Sequence, residues 1–158
     1  MAEHGYDDPR ITAMGLFAEA FAGLSARVAA QVAEHALAPI EFEVLLRLAR
    51  SPRRQLRMSD LAGQTQLTTS GITRVVDRME RAGFVRRSAC PTDRRSSYAV
   101  ITDAGLCRLG DVLPGHVEVI DRWFTGQLPP DQLDSMLAAL RTIRDAVRPN
   151  AAIVTPHP

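Results

Sequence analysis

The sequence predicts a mostly α-helical chain with one small β-hairpin, in which helices from both chain ends flank a compact central module. Three observations lead there. Apolar residues recur at steps of three and four along several long stretches, the spacing of amphipathic helices. One segment, residues 84–101, breaks that rhythm. It reads instead as two short runs around Cys90-Pro91-Thr92-Asp93-Arg94-Arg95, the pattern of two strands joined by a turn. Charge is also segregated: between Arg47 and Arg95 stand 12 Arg against 4 acids, a local charge of +8, in a chain of 158 residues whose net charge is +1.

The first helix is predicted over residues 11–35, where Ile11, Met14, Phe17, Phe21, Leu24, Val28 and Val32 make one stripe among many Ala. Ala38-Pro39 interrupts it, and Pro39 suits the first turn of a second helix over residues 40–50, with Phe42, Leu45, Leu46 and Leu48 apolar. Ser51-Pro52 stops that helix, and Arg53 to Arg57 reads as a basic connector. Ser59 is predicted to cap a short helix over residues 60–65 that buries Leu61 and Ala62. A turn at Gln66-Leu67 leads to a second capping cluster, Thr68-Thr69-Ser70. The helix that follows runs to Ala82 and ends at Gly83, a residue suited to the left-handed conformation that closes helices. Ile72, Val75, Val76 and Met79 form its apolar stripe; Ser70, Thr73, Arg74, Asp77, Arg78 and Arg81 lie on the other side.

Strands are predicted over residues 84–89 and 97–101. Thr102-Asp103 then caps a helix to about residue 126, with Leu106, Leu109, Leu113, Val117, Ile120 and Phe124 apolar and Pro114-Gly115 expected to kink or break it. A final helix over residues 131–148 carries Leu133, Met136, Leu137, Leu140, Ile143 and Val147. Residues 1–10 read as a flexible start, and residues 149–158, with three Pro, as a disordered tail.

Composition narrows the function classes. No run of about 20 apolar residues is evident, and the first residues lack a basic-then-apolar leader, so the expected location is the cytoplasm with no membrane partner. Cys90 and Cys107 have neither a disulfide framework nor zinc-ligand spacing. No phosphate-binding loop, dinucleotide fingerprint, nucleophile elbow or paired-His metal motif occurs, so neither an enzyme nor a bound cofactor or metal is expected. A basic middle between acidic ends is the footprint of a module that meets phosphate. Two short helices joined by a tight turn, the second with small polar groups and Arg on its free face, form a helix-turn-helix, and such a second helix fits the DNA major groove. The hairpin that follows is a wing, whose adjacent Arg94 and Arg95 suit a narrow minor groove.

The run Leu61-Ala62, then Thr73-Arg74-Val75-Val76-Asp77-Arg78-Met79-Glu80-Arg81-Ala82-Gly83-Phe84-Val85-Arg86-Arg87, resembles the MarR family of winged helix-turn-helix regulators. So does Pro91-Thr92-Asp93-Arg94-Arg95-Ser96, followed by Val100-Ile101-Thr102-Asp103-Ala104-Gly105. The resemblance spans roughly residues 11–147. It implies a DNA-binding module over residues 39–103 and a dimerisation region from residues 11–38 and 104–148, with Ile11, Met14, Leu133, Leu137 and Leu140 at the interface. It implies a homodimer on a pseudo-palindromic operator in double-stranded DNA, with half-sites about one helical turn apart.

On this resemblance Thr69, Ser70, Thr73 and Arg74 are the candidates for base or adjacent phosphate contacts, and Arg57 and Arg78 for phosphates. Arg78 and Arg81 have the alternative of pairing along the helix with Asp77 or Glu80. In the wing, Arg95 is expected in the minor groove with Arg94 beside it, and Asp93 orients an Arg. A repressor released by a small aromatic or phenolic effector is the implied mode of action. The candidate lining is Phe17, Phe21, His35, Phe42, Leu46, Leu113 and His116, with Arg86 or Arg87 meeting an anionic group; the plainer reading of the Phe and Leu residues is that they are core. The alternatives are a winged helix that only holds another protein, an architectural DNA-binding module without a ligand, and a thiol-responsive regulator using Cys90.

Overall fold

The computed structural model describes residues 5–90 and 93–148. Six α-helices and three strands follow in the order α1 (Pro9–Glu34), α2 (Pro39–Ala49), β1 (Gln55–Arg57), α3 (Met58–Thr65), α4 (Thr69–Arg81), β2 (Val85–Cys90), β3 (Asp93–Ile101), α5 (Asp103–Trp123) and α6 (Pro130–Val147). Short 3-10 turns at Gly5–Asp7, Pro52–Arg54 and Thr125–Gln127 complete the path. The fold is thus mostly helical with a small antiparallel sheet.

One core organises it. Leu45 and Leu48 of α2, Leu61 of α3, Ile72, Val76 and Met79 of α4, Val85 of β2 and Val112 of α5 are fully buried together, with Val32 from the end of α1. Each helix contributes the stripe its periodicity dictates, so the helix-turn-helix is held against α2, α5 and the sheet. Its ends are fixed locally. The Thr68 hydroxyl accepts from Gly71 N at 3.1 Å and caps α4, while Gly83 takes φ +80° just beyond its last turn. In the α3–α4 turn Gln66 adopts a left-handed φ of 57°.

The sheet has the order β1-β3-β2, all antiparallel. Gln55, Leu56 and Arg57 face Val100, Ala99 and Tyr98, and Val85 faces Ile101. This third strand corrects the reading of Arg53 to Arg57 as a bare connector: Leu56 packs on the core, and β1 closes the free edge of β3. Strand β3 also begins earlier than expected, at Asp93, and the register shifts between Ala89 and Cys90. Pro91, Thr92 and the side chains of Asp93, Arg94 and Arg95 lie outside the described residues, as do the N-terminal residues 1–4 and the tail.

Three further expectations are corrected. Ser59 does not cap α3, because β1 runs directly into a helix that starts at Met58, with Arg57 at the cap and no side-chain bond there. Pro114-Gly115 does not break α5, which continues from Asp103 to Trp123. Pro114 lacks the N–H that would reach Gly110, but both residues are exposed, so water can take the freed carbonyl. Gly115 meanwhile serves packing: a Cβ there would sit 2.9 Å from Gln31 Nε2 on α1. The third correction concerns α1, which is long and apolar enough by length and composition to cross a membrane. Its apolar residues are largely uncovered, with Ile11, Met14, Leu16, Phe17 and Phe21 exposed. On α6 none of the side chains is buried.

Candidate nucleic-acid interface

Thr69 and Ser70 open α4, and Arg74 lies one turn on; all three are exposed. Thr73, half-buried, returns its hydroxyl to the Thr69 carbonyl at 2.7 Å. The Ser70 hydroxyl sits 3.1 Å from that of Thr68. The first turn of α4 therefore presents small hydroxyls, free backbone N–H groups and one guanidinium with no hydrogen bond or ion pair among the described residues. That is a surface sized for a groove floor, positioned because Ile72, Val75, Val76 and Met79 anchor the opposite side.

A cleft of about 430 Å³ separates this helix from the sheet, lined by Met58, Ser59, Thr69, Thr73, Asp77, Arg87, Ser96 and Ser97. Arg87 crosses its floor. Its guanidinium meets Asp77 at 2.5 Å and Glu80 at 3.3 Å, and reaches the Thr73 carbonyl at 3.4 Å. Its backbone N donates to Glu80 at 2.9 Å. Two carboxylates thus surround one cation, so Arg87 ties β2 to α4 and is not available to an anionic ligand. The alternative in which Arg78 or Arg81 pairs along the helix with Asp77 or Glu80 does not occur among the described residues, because Arg87 takes both carboxylates. Arg78 instead bonds Glu41 of α2 at 2.5 Å, and Arg81 is exposed with no ion pair among the described residues. Nothing in local sequence spacing pointed to Arg87, since its partners lie on another element.

Arg57 lies on the outer face of the sheet, its Nε donating to the Tyr98 hydroxyl at 3.4 Å and its guanidinium 5.8 Å from that ring. The bond to Tyr98, with the nearby Cys90 thiol adding to it, holds the Arg57 guanidinium above the usual range, so it stays charged. Cys90 is buried, and its thiol donates to the same hydroxyl at 3.8 Å. Arg86 is exposed on that outer face.

The proposed effector lining is split. Phe42 and His116 are buried with ring centroids 4.5 Å apart; Leu46 and Leu113 are half-buried against the core. His35 is half-buried at the end of α1, where its carbonyl accepts from Arg108. Phe17 and Phe21 stack on each other at 6.5 Å but are exposed, away from the core. Of the proposed dimer residues, Ile11 and Met14 are exposed and Leu133, Leu137 and Leu140 half-buried. No group of three or more metal-ligating side chains comes together among the described residues.

Burial pushes the His116 imidazole below the usual histidine range. The unfolded chain therefore takes up the proton first, near pH 6.5. Stability contributed by the neutral ring is complete above that pH and is lost as pH falls through the lower folded value. The melting temperature is expected to drop on going from pH 7 to pH 5, and to drop less in His116→Phe; equal slopes would mean that His116 takes up its proton alike in the folded and unfolded chains.

A model of the MarR family matches residues 37–97. The chain is 35% identical over 127 residues to the HTH-type transcriptional regulator YkoM of Bacillus subtilis (strain 168), itself uncharacterized, with 80% of each chain covered. It is 33% identical to Sco3205, a MarR family transcriptional regulator from Streptomyces coelicolor solved in complex with DNA, with a TM-score of 0.81 over 90% of both chains. CouR from Rhodococcus jostii RHA1, solved bound to p-coumaroyl-CoA, has a TM-score of 0.73 over 94% of this chain and 97% of that one. At 21% identity the likeness to CouR is one of fold alone.

Proposed function

Since the chain belongs to the MarR family, whose members are DNA-binding transcriptional regulators and not enzymes, we propose that it binds a pseudo-palindromic operator as a homodimer and is released by a small effector. The observation that carries this reading is the exposed first turn of α4, with Thr69, Ser70 and Arg74 open beside the wing. Two copies related by a two-fold axis place two such turns in successive major grooves, about one helical turn apart. The wing then enters the flanking minor groove through Arg95, with Arg94 beside it and Asp93 orienting an Arg. Arg57 and, once released from Glu41, Arg78 contact phosphates.

Dimerisation is supported by the uncovered apolar residues of α1, α5 and α6, among them Phe17, Phe21, Val117, Ile143 and Val147. An effector seated where these helices meet the winged module acts by favouring one spacing of the two α4 helices over another, with a coupling of about 1–3 kcal/mol. CouR, which shares the fold, was solved bound to p-coumaroyl-CoA. The setting for this activity is the cytoplasm, where the DNA is.

Selection from random duplex DNA at two salt concentrations tests the reading. An enriched palindrome is expected; salt-sensitive binding without enrichment makes the protein an architectural binder, and no binding makes it a protein-interaction module. Point variants then separate roles. Arg57→Ala is expected to flatten the slope of log K against log salt by about 0.9, the loss of one neutralised phosphate, and Arg95→Ala to weaken operator binding with little change in fold. Arg87→Leu is expected to weaken binding about tenfold, the usual scale of a positioning contact of about 1–2 kcal/mol, with the slope unchanged. A reduced slope in Arg87→Leu would make it a phosphate ligand instead.

A further inference from the structure

We propose that Glu41 sets the strength of the DNA interface: its carboxylate stands in for a backbone phosphate on Arg78 and competes with DNA for it. This rests on the reading of α4 as the DNA-facing helix and adds a residue that works against one of its contacts.

Three Arg are exposed along α4, at Arg74, Arg78 and Arg81. Arg78 follows Arg74 by four residues, which puts both on one side of the helix, about 6 Å apart along its axis. Of the three, only Arg78 has an ion pair among the described residues, and its partner comes from α2. Glu41 Oε1 accepts from Arg78 Nε at 2.5 Å. The carboxylates of α4 itself, Asp77 and Glu80, are both taken by Arg87. Glu41 is therefore the acid that holds Arg78 among the described residues.

The two partners are held unequally. Glu41 is the third residue of α2, and its other oxygen, Oε2, accepts from Ala38 N at 2.9 Å. That bond closes the N-terminus of α2, where the free N–H groups of the first turn also favour a carboxylate. The Glu41 side chain is 13% exposed, against 51% for Arg78. The carboxylate stays in place, and the longer, more exposed guanidinium is the part that moves. A phosphate meets a cost whichever way it approaches. To take the Nε edge in a two-pronged contact it must displace Oε1. To take the Nη edge alone it must settle beside a fixed negative charge. Both routes subtract from affinity for any duplex whose backbone reaches Arg78.

Gln in the same place closes the same cap through its amide oxygen and carries no charge. The test is a double-mutant cycle, read by titrating the selected operator with wild type, Glu41→Gln, Arg78→Ala and the double variant. Glu41→Gln is expected to bind about fivefold more tightly than wild type, the scale on which an exposed ion pair acts. In the Arg78→Ala background the same substitution is expected to leave affinity unchanged. Glu41→Ala carries the same expectations should Glu41→Gln melt early. A residue that only supports α2 would lose affinity on substitution and not gain it. Unchanged or weaker binding by Glu41→Gln overturns the proposal, as does an equal gain with Arg78 absent, which would make Glu41 a bulk charge with no link to Arg78. Failure of the wild type to select any operator sinks the DNA reading; an operator that Glu41→Gln binds no better sinks this inference alone.

Discussion

Gly105→Ala is expected to destabilise the protein by about 2 kcal/mol and to lower its melting temperature by about 4–8 °C. Gly105 lies in the first turn of α5, where a Cβ would stand 2.2 Å from the Phe84 carbonyl oxygen and 2.8 Å from Ile101 Cγ1. The first of these is backbone and cannot rotate away. It is also engaged, accepting from Thr102 N at 3.1 Å, while the Thr102 hydroxyl donates to the Gly83 carbonyl and accepts from Gly105 N. One methyl group therefore presses on the joint where α4, the base of the wing and α5 converge. Overpacking costs about 1–3 kcal/mol or more, and the gain in helix propensity of Ala over Gly, about 1 kcal/mol, offsets part of it. Gly110 supplies the control on the same helix, with nothing within 4 Å of its Cβ position. Gly110→Ala is expected to hold or raise the melting temperature. If both variants melt alike, the joint is softer than its geometry implies.

The same joint illustrates what was legible in the sequence. The stripe Ile72, Val75, Val76 and Met79 specified both the existence of α4 and the side it buries, because one helical period accounts for all four. Thr68, Gly83 and Thr102 marked element ends through chemistry that acts over three or four residues. Strand β1 was not legible. Its three residues, one apolar between two polar, are too short a run to signal a strand, and only pairing with Tyr98, Ala99 and Val100 makes them one. Ser59 misled for a related reason: it has the right side chain for a cap, but the strand delivers the chain into helical geometry one residue earlier.

Site residues divide along the same line. The hydroxyls at the start of α4 follow from its own sequence. The locking of Arg87 by Asp77 and Glu80 does not, since ion pairing was weighed only along one helix and the true partner arrives from β2. The pairing of Arg78 with Glu41 across to α2 was hidden in the same way. Phe17, Phe21 and Val32 share one periodic stripe, yet only Val32 reaches the core, because α1 extends beyond the globular module. Periodicity reports that a face is apolar; it does not report what covers it.

That uncovered face underlies the remaining large effect. The double variant Phe17→Asp/Phe21→Asp is expected to be monomeric and to lose operator affinity by about 100-fold or more. The two rings stack on each other and are 51% and 64% exposed, on a helix that also exposes Ile11, Met14 and Leu16. Soluble monomers rarely leave so continuous an apolar surface to water. A second copy of the chain is the occupant that the proposed two-fold operator calls for. Two carboxylates placed there meet two more across the axis, and all four lose hydration if the interface closes, so dissociation is the lower-energy outcome. Because the positions are exposed in one chain, helix content and the melting of the winged module are expected to change little. Affinity suffers through linkage: each half-site is then bound alone, and the gain of about 10²–10⁴ from joining two binding modules disappears. Light scattering gives the mass and a titration of the selected operator gives the affinity. A variant that remains dimeric and binds as tightly as wild type would place the interface elsewhere and leave this face of α1 for a different partner. A monomer that still binds the full operator tightly would show that the two half-sites are not read together, and the two-fold geometry would fall with it.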